Sequence, residues 1–160
     1  MKRALFIVIV IVAGFFTWAS SYTTHCATVY VDYGITDNHA KVSKCVNIGA
    51  PTNALTVLQK AHVQIEGTAK YGNKVVCRVT GLPGLEPLGI KGHEQYIETC
   101  QTMPAEFAYW AVLIKRHVTI PIFDTSSKWG WAQTGISDVV LKPGDSVGLV
   151  FADNGHVRFP

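Results

Sequence analysis

Four cysteines are the residues of this chain whose chemistry is easiest to specify: Cys26, Cys45, Cys77 and Cys100. An even number of cysteines in a small domain is typical of disulfide bonds when the protein folds in an oxidising compartment. Four cysteines permit three pairings, of which the pairing in chain order, Cys26 with Cys45 and Cys77 with Cys100, is the most economical. The alternative is a metal site built from four thiolates. Because the sequence has no CxxC and its six histidines are scattered, we expect disulfides and neither a metal nor a cofactor.

A second motif suggests hydrolase chemistry but lacks the required context. The segment Gly144-Asp145-Ser146-Val147-Gly148 matches GxSxG letter for letter. A hydrolase needs a strand before this serine and a helix after it. Here a Pro-Gly turn precedes Ser146, and the alternation of Val147, Leu149 and Phe151 predicts a strand after it. No pair of glutamates has a spacing that forces both into one cleft. The sequence therefore nominates no catalytic residue, and we expect the protein not to be an enzyme.

Four aromatic residues are the best candidates for a ligand-binding face: Tyr109, Trp110, Trp129 and Trp131. Tyrosine and tryptophan combine a large apolar body with one polar group, which suits a planar ligand or a partner surface. On strands, Tyr109 and Trp110 would point to opposite faces, whereas Trp129 and Trp131 would share one. The alternative is that these residues belong to the core.

The N-terminus predicts the compartment. Lys2 and Arg3 precede an uncharged apolar run over residues 4–16, and small residues follow up to Ala19. This pattern predicts a signal peptide over residues 1–19, cleaved after Ala19, and a secreted or cell-surface protein. An uncleaved anchor, the alternative that would keep the protein on the membrane, usually needs about 20 apolar residues.

The charge of the remaining chain argues against nucleic acid as a partner. Lys2 and Arg3 are two of the 14 basic residues, so residues 20–160 carry 12 basic and 11 acidic side chains. A net charge this close to zero gives no basic surface of the kind that phosphate backbones require.

Residues 20–160 are expected to form one α+β domain. Strands are predicted over 27–33 and 41–47, as a hairpin, and a helix over 52–62 with Thr52 as N-cap. Strand residues Val63 and Ile65 and a Gly72-Asn73 turn should follow, then a strand on which Cys77 faces the interior with Val75 and Val79. A long loop is predicted over 81–103, strands over 107–119 and 128–133, and a last hairpin of 139–141 with 146–151, closed by a type II turn over 142–145. A β-grasp-like arrangement, a sheet curved around one helix, is the preferred version.

A family resemblance spans nearly all of the chain after the leader. It rests on the order and spacing of short motifs: Val29-Tyr30-Val31-Asp32-Tyr33-Gly34, Cys45, Ala54-Leu55, Gly67-Thr68, Val76-Cys77-Arg78-Val79, Cys100, Met103-Pro104-Ala105, Ala108-Tyr109-Trp110, Trp129 and the segment 142–148. With these motifs the chain resembles a family of small secreted actinobacterial proteins of unknown function, which are similar to the C-terminal domain of transcobalamin. The resemblance implies a β-grasp-like fold and either corrinoid contact or a vitamin-uptake setting.

Two functions are compatible with these observations. The first is a secreted small-molecule-binding domain for a corrinoid or related vitamin in an uptake setting. The second is a cell-surface interaction or structural module without a small-molecule ligand, whose partner would be an envelope protein.

Overall fold

A computed structural model describes residues 26–118 and 128–160 of the chain. The predicted signal peptide over 1–19, its cleavage position, residues 20–25 of the predicted domain and Thr119 of a predicted strand lie outside these residues. Within the two described segments, no helix has both the length and the apolar character that crossing a membrane requires.

The described residues form mostly strands and one α-helix, so the α+β class is confirmed. In chain order the elements are β1 (Cys26–Asp32), β2 (Lys41–Asn47), β3 (Thr52–Asn53), α1 (Ala54–Lys60), β4 (Ile65–Thr68), β5 (Gly72–Val79), β6 (Ala108–Lys115), β7 (Gly130–Trp131), β8 (Val140–Leu141) and β9 (Ser146–Asp153). Short 3-10 helices cover Gly34–Asp37 and Ile136–Asp138.

A five-stranded sheet in the order β2-β1-β9-β6-β7 is the centre of the structure. The predicted hairpin of β1 and β2 is confirmed, with Thr28 opposite Cys45. The last strand, β9, inserts beside β1 in parallel and beside β6 in antiparallel orientation. All six interior residues of β9 are buried, as expected for a strand covered on both faces of its sheet.

Helix α1 packs its apolar stripe against the inner face of this sheet. Ala54, Val57 and Leu58 are buried in the same core cluster as Val29 and Val31 of β1. The spacing of these helical residues is that of one helix face.

The helix is shorter than predicted at both ends. The predicted N-cap, Thr52, is wrong because Thr52 belongs to β3, and the side chain of Asn53 accepts the hydrogen bond from Leu55 N at 2.9 Å instead. The C-terminus is closed by His62, at a φ of +61°, and by a bond from Val63 N to Leu58 O. This is a Schellman motif, which ends the helix at Lys60.

The predicted last hairpin is wrong, although its turn is present. Asp145 N donates to Lys142 O at 2.9 Å and Gly144 has a φ of +90°, as a type II turn requires. The strands on either side do not pair with each other, because β8 pairs with β3 and both edges of β9 are occupied by β1 and β6. Hydrophobic pattern alone does not distinguish a hairpin from two strands that separate after a turn.

Three other boundaries differ from the prediction. The Gly72-Asn73 turn is wrong: the turn covers Ala69 to Tyr71, and Gly72 begins β5. The strand predicted over 128–133 is reduced to Gly130–Trp131. The strand predicted over 107–119 is shortened to β6, which ends at Lys115. The loop predicted over 81–103 agrees with the structure, which has no helix or named strand there.

Both predicted disulfides are confirmed. Cys26 pairs with Cys45 across the first hairpin, and Cys77 on β5 pairs with Cys100 at the end of the long loop. Cys77 is buried, as its position beside Val79 predicts, and Cys100 is buried with it.

Candidate functional site

Trp110 lies inside the main core. Only 5% of it is exposed, and its rings meet Tyr33 and Phe151 edge to face at 5.8 and 5.4 Å between centroids. The indole nitrogen, its one polar atom, donates to Leu82 O at 3.1 Å. Trp110 therefore ties the long loop to the sheet and offers a ligand little free surface.

Trp129 lies on the opposite, outer face of the sheet, over Gly148. A Cβ at position 148 would lie 3.1 Å from Trp129 Cζ3, a contact too close for the indole to keep its present place. Tyr30 flanks the indole at 6.3 Å, and a small cluster around buried Leu113 and Val150 underlies it. The last glycine of the GxSxG segment thus makes room for a tryptophan on the sheet.

Trp131 is the most exposed of the four predicted residues, at 47%. It stands at the sheet edge on β7, opposite Leu113, and its ring meets Phe159 of the C-terminal tail edge to face at 6.0 Å. Arg116 and Val140 line the neighbouring groove, whose volume is about 500 Å³.

Tyr109 and Trp110 meet at a second depression, named here the Met103 cleft. The cleft encloses about 320 Å³ and is lined by Val75, Val76, Met103, Pro104, Ala105, Glu106, Tyr109 and Trp110. Tyr109 packs against the outer cluster and Trp110 against the inner core, so the two side chains take opposite faces of β6 as predicted. Met103 is 60% exposed at the rim, and among the described residues that line the cleft Glu106 is the charged one. The volume is at the lower end of the range for small-molecule sites, and the lining is apolar as such sites usually are.

Arg78 lies on β5, the strand that supplies Val75 and Val76 to the cleft, and it binds the long loop. Its guanidinium donates to Pro83 O at 2.9 Å, to Glu98 O at 2.9 Å and to Glu66 Oε1 at 2.7 Å. One side chain therefore fastens two points of the long loop to the strand beside the cleft.

A second polar network continues from the loop to the cleft. The Tyr96 hydroxyl donates to Glu98 Oε2 at 2.6 Å and accepts from Ala105 N at 3.3 Å. Burial, and after it the hydrogen bond to Glu98, raises the pKa of Tyr96 to about 12. The phenol therefore stays protonated at neutral pH and keeps both contacts.

The titration of Tyr96 is a direct test of this network. In a spectrophotometric titration we expect a tyrosinate component near pH 12, above the ordinary value of about 10. Tyr96→Phe should remove that late component. Because the folded-state pKa is raised, the associated stability is complete below pH 10 and is lost as the pH rises towards 12. Tyr71→Phe, an exposed tyrosine, is the control, and an unchanged late component in Tyr96→Phe would contradict the assignment.

Asp145 gives the GxSxG segment a structural role. Its carboxylate is 2% exposed and accepts from His117 N at 2.8 Å, from Lys142 N at 2.9 Å and from Arg116 Nη1 at 2.8 Å. The acid thereby joins the turn before β9 to the end of β6. The neighbouring Ser146 stands at the start of β9, with a strand after it rather than a helix.

A polar pocket of about 380 Å³ lies where the parallel strands β1 and β9 end. Its lining includes Asp32, His39, Asp153, His156 and Arg158. Asp32 is buried and accepts from Gly34 N at 3.0 Å, and its carboxylate meets the Lys41 ammonium at 3.1 Å. The hydrogen bond to Asp32 raises the pKa of Lys41. Sequence reasoning missed this pocket because its histidines are 117 positions apart and only the fold brings them together.

Comparison with known proteins adds no relative to this description, since no family model, curated protein or solved structure matches the chain.

Sequence reasoning also missed the supporting residues of the Met103 cleft, Arg78, Tyr96 and Glu98. The one signal available in the sequence concerned Arg78, a charged residue that alternates with apolar residues on β5.

Proposed function

We propose that this protein is an extracellular binding domain that holds an apolar or aromatic group in the Met103 cleft. The observation that carries the proposal is the cleft itself, in which Tyr109 and the rim residue Met103 stand over an apolar floor. A methionine at an exposed rim adapts its shape to different ligands. Two disulfides support folding in an oxidising compartment.

A β-grasp-like fold is part of this proposal. It is supported by the single helix packed on the inner face of the sheet and by the insertion of β9 beside β1. In this arrangement the cleft lies at the start of β6, on the side of the sheet where β5 approaches it.

Corrinoids are the first ligands to test, because the resemblance to the transcobalamin C-terminal domain suggests them. A corrinoid is much larger than a cleft of about 320 Å³, so only one edge or one substituent would be seated there. The remaining contacts would come from the surface beside Tyr109.

Calorimetry with cyanocobalamin and cobinamide on the oxidised protein tests the proposal. We expect Met103→Glu to weaken binding at least about tenfold, because it places a charge where an apolar group is desolvated. Trp131→Ala, a change on β7 beside the other end of β6, should bind like the parent. If neither corrinoid gives heat at high micromolar concentration, corrinoids are ruled out as ligands. If Met103→Glu binds as tightly as the parent, the cleft is ruled out as the binding site.

A second candidate is an interaction module that uses the β7 edge. It is favoured by the exposure of Trp131 and by its pairing with Phe159, since tryptophan is enriched among residues that dominate interfaces. The same two variants discriminate: recovery of an envelope protein that depends on Trp131 and not on Met103 would support this candidate and count against the cleft.

A further inference from the structure

The buried disulfide of β5 has a carboxylate beside it. Among residues 26–118 and 128–160, one cluster of metal-ligating side chains has its ligand atoms within 4.8 Å of one another: Cys77, Glu98 and Cys100. All three residues are buried. Once the disulfide is open, two sulfurs and one carboxylate oxygen are a donor set suited to a three-residue zinc site, to which water would add a fourth ligand.

Glu98 is held in place by three hydrogen bonds, two of which come from residues outside the cluster. Its Oε2 accepts from the Tyr96 hydroxyl at 2.6 Å, its Oε1 accepts from Cys100 N at 2.7 Å, and its backbone oxygen accepts from Arg78 Nη2 at 2.9 Å. Each carboxylate oxygen keeps a further lone pair. Such outer hydrogen bonds are what orient the carboxylate and histidine ligands of metal sites.

While the disulfide is closed, the sulfurs have no charge to offer a cation. Reduction by two equivalents of a thiol breaks the S–S bond, leaves two protein thiols and converts the reductant to its own disulfide. A divalent cation can then displace the two thiol protons and bind both thiolates. Without the cation, the two sulfurs would remain protonated thiols, because two thiolates buried beside a carboxylate would carry a high electrostatic cost.

We propose that reduction of Cys77–Cys100 converts this position into a site for a thiophilic divalent cation such as Zn²⁺. The thiolates of Cys77 and Cys100 and the Glu98 carboxylate are its protein ligands. Thiolates favour zinc over the hard cations calcium and magnesium. The cation would replace the disulfide as the link between β5 and the long loop, and so preserve the wall of the Met103 cleft.

The other cysteine pair provides a matched control. Cys26→Ser/Cys45→Ser retains Cys77, Cys100 and Glu98, whereas Cys77→Ser/Cys100→Ser retains two thiols without a carboxylate assigned beside them. Each full chain is reduced with a phosphine, which takes up the oxygen of water as it becomes its oxide, and the reductant is removed under anaerobic conditions. Co²⁺ is then titrated as a spectroscopic substitute for Zn²⁺.

In Cys26→Ser/Cys45→Ser we expect one Co²⁺ per chain, with sulfur-to-cobalt charge transfer and the intense visible bands of four-coordinate cobalt. Adding Glu98→Gln should weaken the affinity at least about tenfold, whereas adding Glu66→Gln, a change to an exposed glutamate, should not. In the reduced Cys26→Ser/Cys45→Ser chain, Zn²⁺ should displace the cobalt and reverse any loss of circular dichroism that reduction has caused, whereas it should not do so in Cys77→Ser/Cys100→Ser. Equal affinities of the Glu98→Gln and Glu66→Gln chains, or equal binding by Cys77→Ser/Cys100→Ser, would overturn the proposal, as would six-coordinate cobalt spectra.

Discussion

Replacing Asp145 by alanine is expected to lower the free energy of unfolding by about 3 kcal/mol, because the change removes a buried carboxylate that accepts hydrogen bonds from two backbone amides and one guanidinium. The His117 and Lys142 amides both donate to this carboxylate, and the Arg116 guanidinium meets it at 2.8 Å. The loss would remove the side-chain link between the turn before β9 and His117, just after β6. The change in the free energy of unfolding is measured by urea denaturation, with tryptophan fluorescence as the signal.

Two neighbouring variants make the test specific. Asp145→Asn keeps the size and one acceptor oxygen, so about half of the loss is expected. Ser146→Ala should change the stability by less than about 0.5 kcal/mol, since substitutions away from buried contacts have small effects. If the segment were the active site of a hydrolase, Ser146 would matter more than Asp145, and Ser146→Ala would lose the activity. A stable Asp145→Ala chain would contradict the structural role of the segment.

The local elements of the fold were predictable because their signals are local. Alternation over Ala27, Val29 and Val31 places β1, and the spacing of Ala54 and Leu58 places the helix. The disulfides followed from loop economy, and the structure has that pairing.

Long-range pairing was not predictable in the same way. The hydrophobic pattern of β9 is compatible with a hairpin to β8, yet β9 is the centre of the sheet and contacts β1, more than 110 positions earlier. Nothing in the spacing of one sequence identifies which of several apolar strands becomes central. A near-continuous apolar run is the one hint that a strand is covered on both faces.

The candidate site, like the fold, has some features that the local sequence predicts and others that depend on distant parts of the chain. Composition identifies Tyr109, Trp110, Trp129 and Trp131, and the alternation rule places Tyr109 and Trp110 on opposite faces. Their exposure depends on what covers them: the long loop over Trp110, and the tail residue Phe159 beside Trp131. Those neighbours are distant in the chain, so only the folded structure separates a core tryptophan from an exposed one.

Replacing Arg78 by alanine is expected to cost about 3 kcal/mol of stability and to loosen the wall of the Met103 cleft. The change removes donors from Pro83 O and Glu98 O, both on buried residues of the long loop. Each buried acceptor left without a partner costs about 1–3 kcal/mol. Urea denaturation gives the stability, and hydrogen exchange over residues 81–103 should show faster opening of the loop.

Lysine and glutamine variants separate the geometry of this contact from its charge. Arg78→Lys keeps the positive charge near Glu66 but cannot supply the planar set of donors that reaches three acceptors, so most of the loss should remain. Glu66→Gln removes the ion pair alone and should cost less than about 1 kcal/mol, because that carboxylate is 54% exposed. If Arg78→Lys were as stable as the parent, or if Glu66→Gln cost as much as Arg78→Ala, the charge rather than the donor geometry would hold the loop. We therefore expect Arg78→Ala and Arg78→Lys to be much less stable than Glu66→Gln. This order of stabilities follows only if Arg78 holds the long loop through its hydrogen bonds.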